Sequence, residues 1–264
     1  MRLRVSIVTH APDIGVLRRT LTTLEVSAAR LDGTTVDLVL INNGPDENKA
    51  LLEEMARDLR ITTQVLSGKG NVGYGKGHNL AISGESDYHL VLNPDVDLAE
   101  DALVNAVGFM QEHPDCGLLA PVVVNPAGEH QYLCKRYPTV LVLGLRGFGP
   151  TWLKRPFAGA LGHYEMRDQI GDALVWDPPI ISGCFMFFRA EVLRTLGGFD
   201  PRYFLYFEDF DISLRAGSIS RIAYVPKVKI THHGGHAARK GPRHLKFFGA
   251  SAVKFFNRHG WRWW

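Results

Sequence analysis

Four short runs hold most of the side chains able to do chemistry. Asn93-Pro94-Asp95-Val96-Asp97 follows an apolar run at 88–92, so a proline ends a strand and leaves a short carboxylate at its tip. An oxygen ligand there suits Mg2+ or Mn2+ bridged to a diphosphate, which makes Asp95 the candidate metal ligand. Asp97 reads as the cap of the helix that follows. Glu208, Asp209 and Asp211 sit among Tyr203, Phe204, Tyr206 and Phe210. Acids among large apolar side chains are costly unless they face a cation, a ligand or water, and partial burial lifts a carboxylate toward the range of a general base. His232, His233 and His236, spaced by Gly234 and Gly235, put three imidazoles within five residues, and one of them can join Asp95 on a divalent ion. The run 66–82 places glycines at 68, 70, 73, 75 and 77 ahead of a helix, which lets backbone approach a phosphate at a helix N-terminus. Neither the dinucleotide fingerprint nor the P-loop pattern is present in it.

These groups need a scaffold, and the first half of the chain spells one out. Apolar strand-like runs at 3–9, 36–41, 61–66 and 88–92 alternate with helical spacing at 12–29, 49–59 and 77–82. That order predicts an α/β fold with a mostly parallel, Rossmann-like sheet flanked by helices. Ligands of such sheets gather at the carboxyl ends of the strands, where Asn42, Asn43, Asn93 and Asp95 fall. Beyond them the pattern predicts a helix at 100–112, a strand at 117–124 and a long loop region at 128–172, rich in Gly, Pro and aromatic residues, lying over the site. A strand at 180–188, helices at 190–196 and 206–215 and a strand-like 222–230 complete one continuous domain. Its parts are 1–97, 98–235 and a basic amphipathic tail at 236–264.

The net charge of +3 conceals a division: the last 53 residues carry eleven Lys and Arg and no acid, so the rest of the chain is net negative. The tail therefore has an anionic partner or surface. From Pro242 a helix places Leu245, Phe248, Ala252, Phe255, Phe256 and His259 on one face and Arg243, Lys246, Lys254 and Arg258 on the other. Two readings follow for it, a helix packed on the domain with a solvated basic face, or a helix that rests with Trp261, Arg262, Trp263 and Trp264 on an anionic membrane leaflet. A nucleic-acid partner is disfavoured, since the acids at 95 and 208–211 would face a polyanion. The three cysteines lack pairing or metal spacing, and the apolar runs at 140–145 and 180–188 are far short of the roughly 20 residues that span a bilayer. The first ten residues enter a strand directly, so a cytoplasmic protein is expected.

Taken in order, VSIVTH, NVGYGKGHN, LNPDVDL, ISGCFMFFRAEVLRTLGGFDPRYFLYFEDFDISLR, YVP and the His-rich turn resemble the family 2 glycosyltransferases of the GT-A fold, and within them the bacterial rhamnosyltransferases of cell-wall and lipopolysaccharide synthesis. The likeness runs through nearly the whole chain. It implies a nucleotide-diphosphate sugar donor, dTDP-L-rhamnose first, and inverting transfer to a glycan or lipid-linked acceptor. On that resemblance 1–97 is the nucleotide-sugar half and 98–235 the acceptor half. Asn93-Pro94-Asp95 stands where a DxD motif stands, with Asp95 and one of His232 and His233 on the metal and Asn93 toward sugar or ribose. Asp209 becomes the base, with Glu208 and Asp211 on the acceptor side. The donor contacts implied are Thr9, His10, Asn42, Asn43, Gly73, Gly75, Gly77 and Asn79, with Arg239, Lys240 and Arg243 assisting the leaving group. A nucleotidyltransferase is the neighbouring alternative, but its glycine- and arginine-rich first loop is replaced here by Thr9-His10-Ala11-Pro12-Asp13. An inactive sugar-nucleotide-binding relative would not need Asp95, Asp209 and the histidines.

Overall fold

The computed structural model describes residues 1–82, 84–234 and 242–264. The first half runs β1 (Arg2–Thr9), α1 (Ile14–Ala28), β2 (Thr35–Asn42), α2 (Asn48–Arg57), β3 (Thr62–Leu66), α3 (Tyr74–Asn79) and β4 (Tyr88–Leu92). Then come β5 (Val96–Leu98), α4 (Ala102–Glu112), β6 (Cys116–Val124), β7 (Cys134–Lys135), α5 (Val140–Phe148), α6 (Thr151–Lys154), a 3-10 turn at Arg155–Phe157 and α7 (Ala158–Tyr164). The chain ends with β8 (Val175–Trp176), β9 (Ile180–Ile181), β10 (Phe185–Arg189), α8 (Ala190–Thr195), α9 (Glu208–Gly217), β11 (Arg221–His232) and α10 (Pro242–His259).

The main sheet has the order β3-β2-β1-β4-β10-β6-β11-β5, with β8 added to β11. Strands β3, β2, β1 and β4 are parallel, as expected. The second half is mixed: β10 is antiparallel to β4 and β6, β11 is parallel to β6, and β5 and β8 are antiparallel to β11. "Mostly parallel" thus describes the first half only. Residues 5–8 of β1 and all of β4 are buried because helices cover both faces, which is why these strands read as unbroken apolar runs. Asp13 caps α1 by accepting from the Val16 N–H, and Leu17, Leu21, Leu24 and Ala28 form its buried stripe. Under α3 a buried polar bridge replaces apolar packing: the Ser6 hydroxyl lies 2.8 Å from His78 Nδ1 and 2.9 Å from His89 Nε2. Burial lowers both imidazoles, His89 to about 3, so both stay neutral.

Two sequence expectations change here. The 128–172 region is not a long loop but largely short helices, with Thr139 capping α5 through the Val142 N–H. The strand expected at 180–188 is cut into β9 and β10 by Ser182-Gly183-Cys184, a break the active site uses. The tail helix packs on the domain: Phe255 and Phe256 are buried with Phe207, Tyr203 and Val142, while Leu245, expected on that face, is half-exposed. Among the described residues no helix is long and apolar enough to cross a membrane.

Candidate active site

The carboxyl ends of β1, β2 and β4 meet the start of α9 across the Ser182-Gly183-Cys184 break. Asn93 N–H donates to the Cys184 carbonyl at 2.9 Å, and Gly183 N–H donates to Asp209 Oδ2 at 3.0 Å. The Tyr74 hydroxyl donates to the Gly183 carbonyl at 2.5 Å. One tight turn therefore ties the Asn93-Pro94-Asp95 tip to the acidic helix start. Burial, then Glu208, Cys184, Asp209 and Asp95 in that order, push the Tyr74 hydroxyl well above its ordinary value, as expected where these acids converge. Gly183 and Tyr74 had no assigned role in the sequence reading.

The acids are presented by strained backbone. Tyr206 and Phe207 have φ of 70° and 64°, consecutive left-handed residues without glycine's freedom. Each costs on the order of 1–3 kcal/mol, held by the aromatic packing of Phe207 on Phe210, Phe248 and Phe255. Glu208 is 4% exposed, and its Oε2 has no hydrogen-bond partner among the described residues. Burial first and the Asp209 charge second push Glu208 up to about 8. Burial pushes Asp209 up to about 6, against the N–H groups of Gly183 and Phe210, the latter 3.0 Å from Oδ1. Those two donors favour the carboxylate on Asp209, so the proton retained by the pair near neutral pH resides on Glu208. Asp209 is left as the ionised base. Activity should then rise with pH through about 6 as Asp209 loses its proton. Glu208→Gln should keep that acidic limb, because the neighbour it replaces is already neutral there, and a kcat/KM profile from pH 5 to 8 checks both.

Asp211 belongs elsewhere. It is fully buried and bound by Arg215 Nε at 2.8 Å, Arg258 Nη1 at 3.0 Å and His259 Nε2 at 2.9 Å. It fastens α10 to α9 rather than facing an acceptor, which corrects the acceptor-side expectation. Asp211→Ala should destabilise by about 3 kcal/mol, the low end for breaking a buried pair because Arg258 retains solvent contact, read as a lower urea midpoint.

The metal-side residues divide as well. Gln131 Nε2 donates to the His232 carbonyl at 3.0 Å, which turns Gln131 Oε1 toward His232 Nδ1, also at 3.0 Å. The proton is thereby held on Nδ1, and the Nε2 lone pair points at Asp95 Oδ1, 3.5 Å away. A side chain on Gly234 would collide with Asp95 Oδ2 and stand 3.0 Å from His232 Nε2, so the backbone there leaves a cradle that only glycine keeps open. A neutral imidazole nitrogen and a carboxylate around such a cradle fit a divalent cation as two of its ligands, although no cluster of three protein ligands exists among the described residues. His233 is a different case: its Nε2 is 2.7 Å from Asp97 Oδ2, which also holds Arg19 at 2.5 Å. His233 as a metal ligand and Asp97 as a helix cap are both corrected by this ion pair.

The glycine run also has a different purpose. Gly73, at φ 93°, lets the Tyr74 N–H reach the Phe204 carbonyl at 3.0 Å, which occupies the start of α3 with protein. A Cβ at Gly75 would lie 2.8 Å from Phe199, and one at Gly77 would lie 2.8 Å from Val8 and 3.3 Å from Asn43 Nδ2. These glycines seat α3 against β1 and the 199–204 turn. Asn79 clamps Phe199 at both backbone atoms, each at 2.8 Å, and is spent structurally. Asn42 is buried and bound to Gly44, Pro45 and Ser67, and Thr9 is buried on the Ile41 carbonyl. Of the expected donor contacts, exposed His10, half-buried Asn93 and Asn43, whose Oδ1 has no partner among the described residues, remain open. His10 Nδ1 lies 2.9 Å from the Asn43 carbonyl, which sets these two side by side. The side chain of Arg243, with His236, Arg239 and Lys240, lies outside the described residues.

A parallel first half that ends in Asn-Pro-Asp, joined to a mixed second half with an acidic helix start, is matched in fold by solved glycosyltransferases. GalNAc-T7 in its crystal structure with UDP, GalNAc and Mn2+ matches with a TM-score of 0.63 at 15% identity, over 91% of this chain and 44% of that one. The mannosyltransferase PcManGT of Pyrobaculum calidifontis, in complex with GDP-Man and Mn2+, gives 0.61 at 15% identity over 96% and 69%. Residues 1–349 of Staphylococcus aureus TarS, in complex with UDP, give 0.58 at 16% identity over 98% and 72%. The chain thus has the GT-A fold.

In sequence it is rhamnosyltransferase-like. It is 28% identical to the N-acetylglucosaminyl-diphospho-decaprenol L-rhamnosyltransferase of Mycobacterium tuberculosis, over 98% of this chain and 86% of that protein. It is 24% identical to rhamnosyltransferase WbbL of Escherichia coli K12 over 75% and 77%. The O-antigen biosynthesis protein RfbC of Myxococcus xanthus shares 26% identity over 89% of this chain and 18% of its own length. No protein-family model matches the chain.

Proposed function

We propose that this protein transfers L-rhamnose from dTDP-L-rhamnose, with inversion, to a lipid-linked sugar diphosphate at the inner face of a membrane. The observation that carries this reading is the single turn at 182–184 that joins the Asn93-Pro94-Asp95 tip to Asp209. Rhamnosyl transfer is supported by the relatives in M. tuberculosis and E. coli, and the lipid-diphosphate acceptor by the M. tuberculosis one alone. The M. tuberculosis relative is named for N-acetylglucosaminyl-diphospho-decaprenol.

Asp209 takes the proton of the acceptor hydroxyl as that oxygen attacks the anomeric carbon from the face opposite the departing diphosphate. Glu208, neutral beside it, keeps a second charge out of the buried pair. Asn93, half-buried at the end of β4, orients the donor sugar or ribose. Asp95 and His232 Nε2 would hold Mg2+ or Mn2+, as the Mn2+ in the GalNAc-T7 and PcManGT structures supports, and the ion would offset charge on the leaving diphosphate. Gln131 keeps His232 in the tautomer this requires. Exposed Trp261, Trp263 and Trp264 with Arg262 form the part of the tail we assign to the anionic leaflet, since the Phe face of α10 is already used.

A thermal-shift screen of nucleotide sugars in the presence of Mg2+ or Mn2+ tests the donor. Selective stabilisation by dTDP-L-rhamnose is the expected result. Stronger stabilisation by a UDP or GDP sugar would overturn the donor assignment.

A further inference from the structure

Near the base, the 134–167 region gathers a cationic cluster that the donor and base chemistry leave unused. Lys135 is buried, with its amine 3.6 Å from Glu165 Oε1 and donating to the Tyr132 carbonyl. Arg146 Nε lies 3.3 Å from the same carboxylate oxygen, and Arg167 Nη2 lies 2.6 Å from the other. Three cations on one carboxylate leave a surplus of positive charge next to a buried amine, which an anion would compensate. Tyr164 is 3% exposed, and its hydroxyl has no hydrogen-bond partner among the described residues. A buried phenol without a partner forfeits a hydrogen bond that a ligand oxygen would restore. Lys135 Nζ stands 5.6 Å from the centre of the Tyr164 ring, and the fields of Arg146, Asp209 and Glu165 all reach its hydroxyl. The two terminal nitrogens of Arg146, about half-exposed, make no protein hydrogen bond among the described residues.

The cluster is linked to the base by a short run of chain. Lys135 pairs with Ile180, Ile181 bonds the Ser213 hydroxyl one turn beyond Asp209, and Gly183 bonds Asp209 itself. On the outer side, residues 140–164 contain no acid, Leu141 and Trp152 are exposed, and the Leu141 N–H donates to the carbonyl of exposed Trp263. A lipid chain leaving the cluster on this side would meet these exposed apolar side chains.

We propose that Arg146, Lys135 and the Tyr164 hydroxyl form a subsite for the acceptor's diphosphate, holding it one sugar ring from the hydroxyl that Asp209 deprotonates. This deepens the proposed function and rests on its lipid-linked acceptor, but not on the identity of the donor. The test is calorimetric titration of the intact protein with octyl diphosphate, inorganic pyrophosphate and octyl β-D-glucoside, with the donor site saturated by whichever nucleoside diphosphate stabilises the protein best. The wild type should bind octyl diphosphate more tightly than pyrophosphate. Arg146→Gln should weaken octyl diphosphate by about 10- to 100-fold, the loss of a charge-assisted hydrogen bond, and leave octyl glucoside unchanged. Tyr164→Phe keeps the packed ring and should weaken the same probe several-fold. Equal affinity of wild type and both variants for octyl diphosphate, or no binding to the wild type, would overturn the subsite. Pyrophosphate binding as tightly as octyl diphosphate would overturn its assignment to a lipid-linked acceptor. Because no donor sugar enters the titration, a wrong donor would fail only in the thermal-shift screen.

Discussion

Replacing Asp209 with asparagine should lower turnover by about 10²- to 10⁴-fold, the range a positioned base contributes. Nucleotide-sugar affinity should hold, because Asp209 touches the turn at Gly183 and not the donor end of the site. Asparagine preserves the size of the side chain and one acceptor oxygen. Its amide nitrogen, however, would face either the Gly183 or the Phe210 N–H, donor against donor, so some local loosening accompanies the lost basicity. A melting curve separates the two effects: a variant that stays folded, binds nucleotide sugar and fails in single turnover has lost chemistry alone. Retention of more than about a tenth of the activity in a folded variant would remove Asp209 from the role.

The second large effect is on the metal side and has a readout independent of turnover. Asp95→Asn removes one of the two proposed protein ligands and should abolish Mn2+ binding measured by electron paramagnetic resonance in the presence of nucleoside diphosphate. Gln131→Ala leaves both ligands in place but frees the His232 ring to turn or to move its proton, and should weaken Mn2+ by about 10- to 100-fold. His233→Ala should leave Mn2+ affinity unchanged, since His233 is engaged by Asp97, which Arg19 also holds. Loss of Mn2+ in His233→Ala with retention in Gln131→Ala would reverse the assignment.

The first half of the fold was legible because its strands are buried on both faces and its helices are striped, two patterns that survive in linear sequence. The second half hid its structure for identifiable reasons. In 128–172 the glycines, prolines and aromatics that mimic a loop serve short helices: Pro150 precedes α6, and Pro156 sits in the 3-10 turn. In 180–188 the apolar run conceals a break, since Gly183 and Cys184 are both small enough to pass within a strand. The glycines at 73, 75 and 77 were recognised as significant, but close approach to protein and close approach to phosphate demand the same residue, and only the positions of Phe199, Phe204 and Val8 separate the two. The choice between His232 and His233 was equally hidden. What separates them is their partners, Gln131 for His232 and Asp97 for His233, which lie far away in the sequence. Asp211 resembled its acidic neighbours in sequence, and its partners Arg258 and His259 lie too far along the chain for spacing to reveal the ion pair.

The central claim is that Asp209 drives inverting rhamnosyl transfer in a site joined by one turn to the Asn93-Pro94-Asp95 tip. The most direct measurement incubates wild-type and Asp209→Asn protein with dTDP-L-rhamnose, a divalent cation and a lipid-linked sugar diphosphate, and determines both product yield and anomeric configuration by NMR. The account predicts a rhamnosylated product of configuration opposite to the donor's from the wild type, and almost none from the variant. A product of retained configuration, or undiminished transfer by Asp209→Asn, would contradict it.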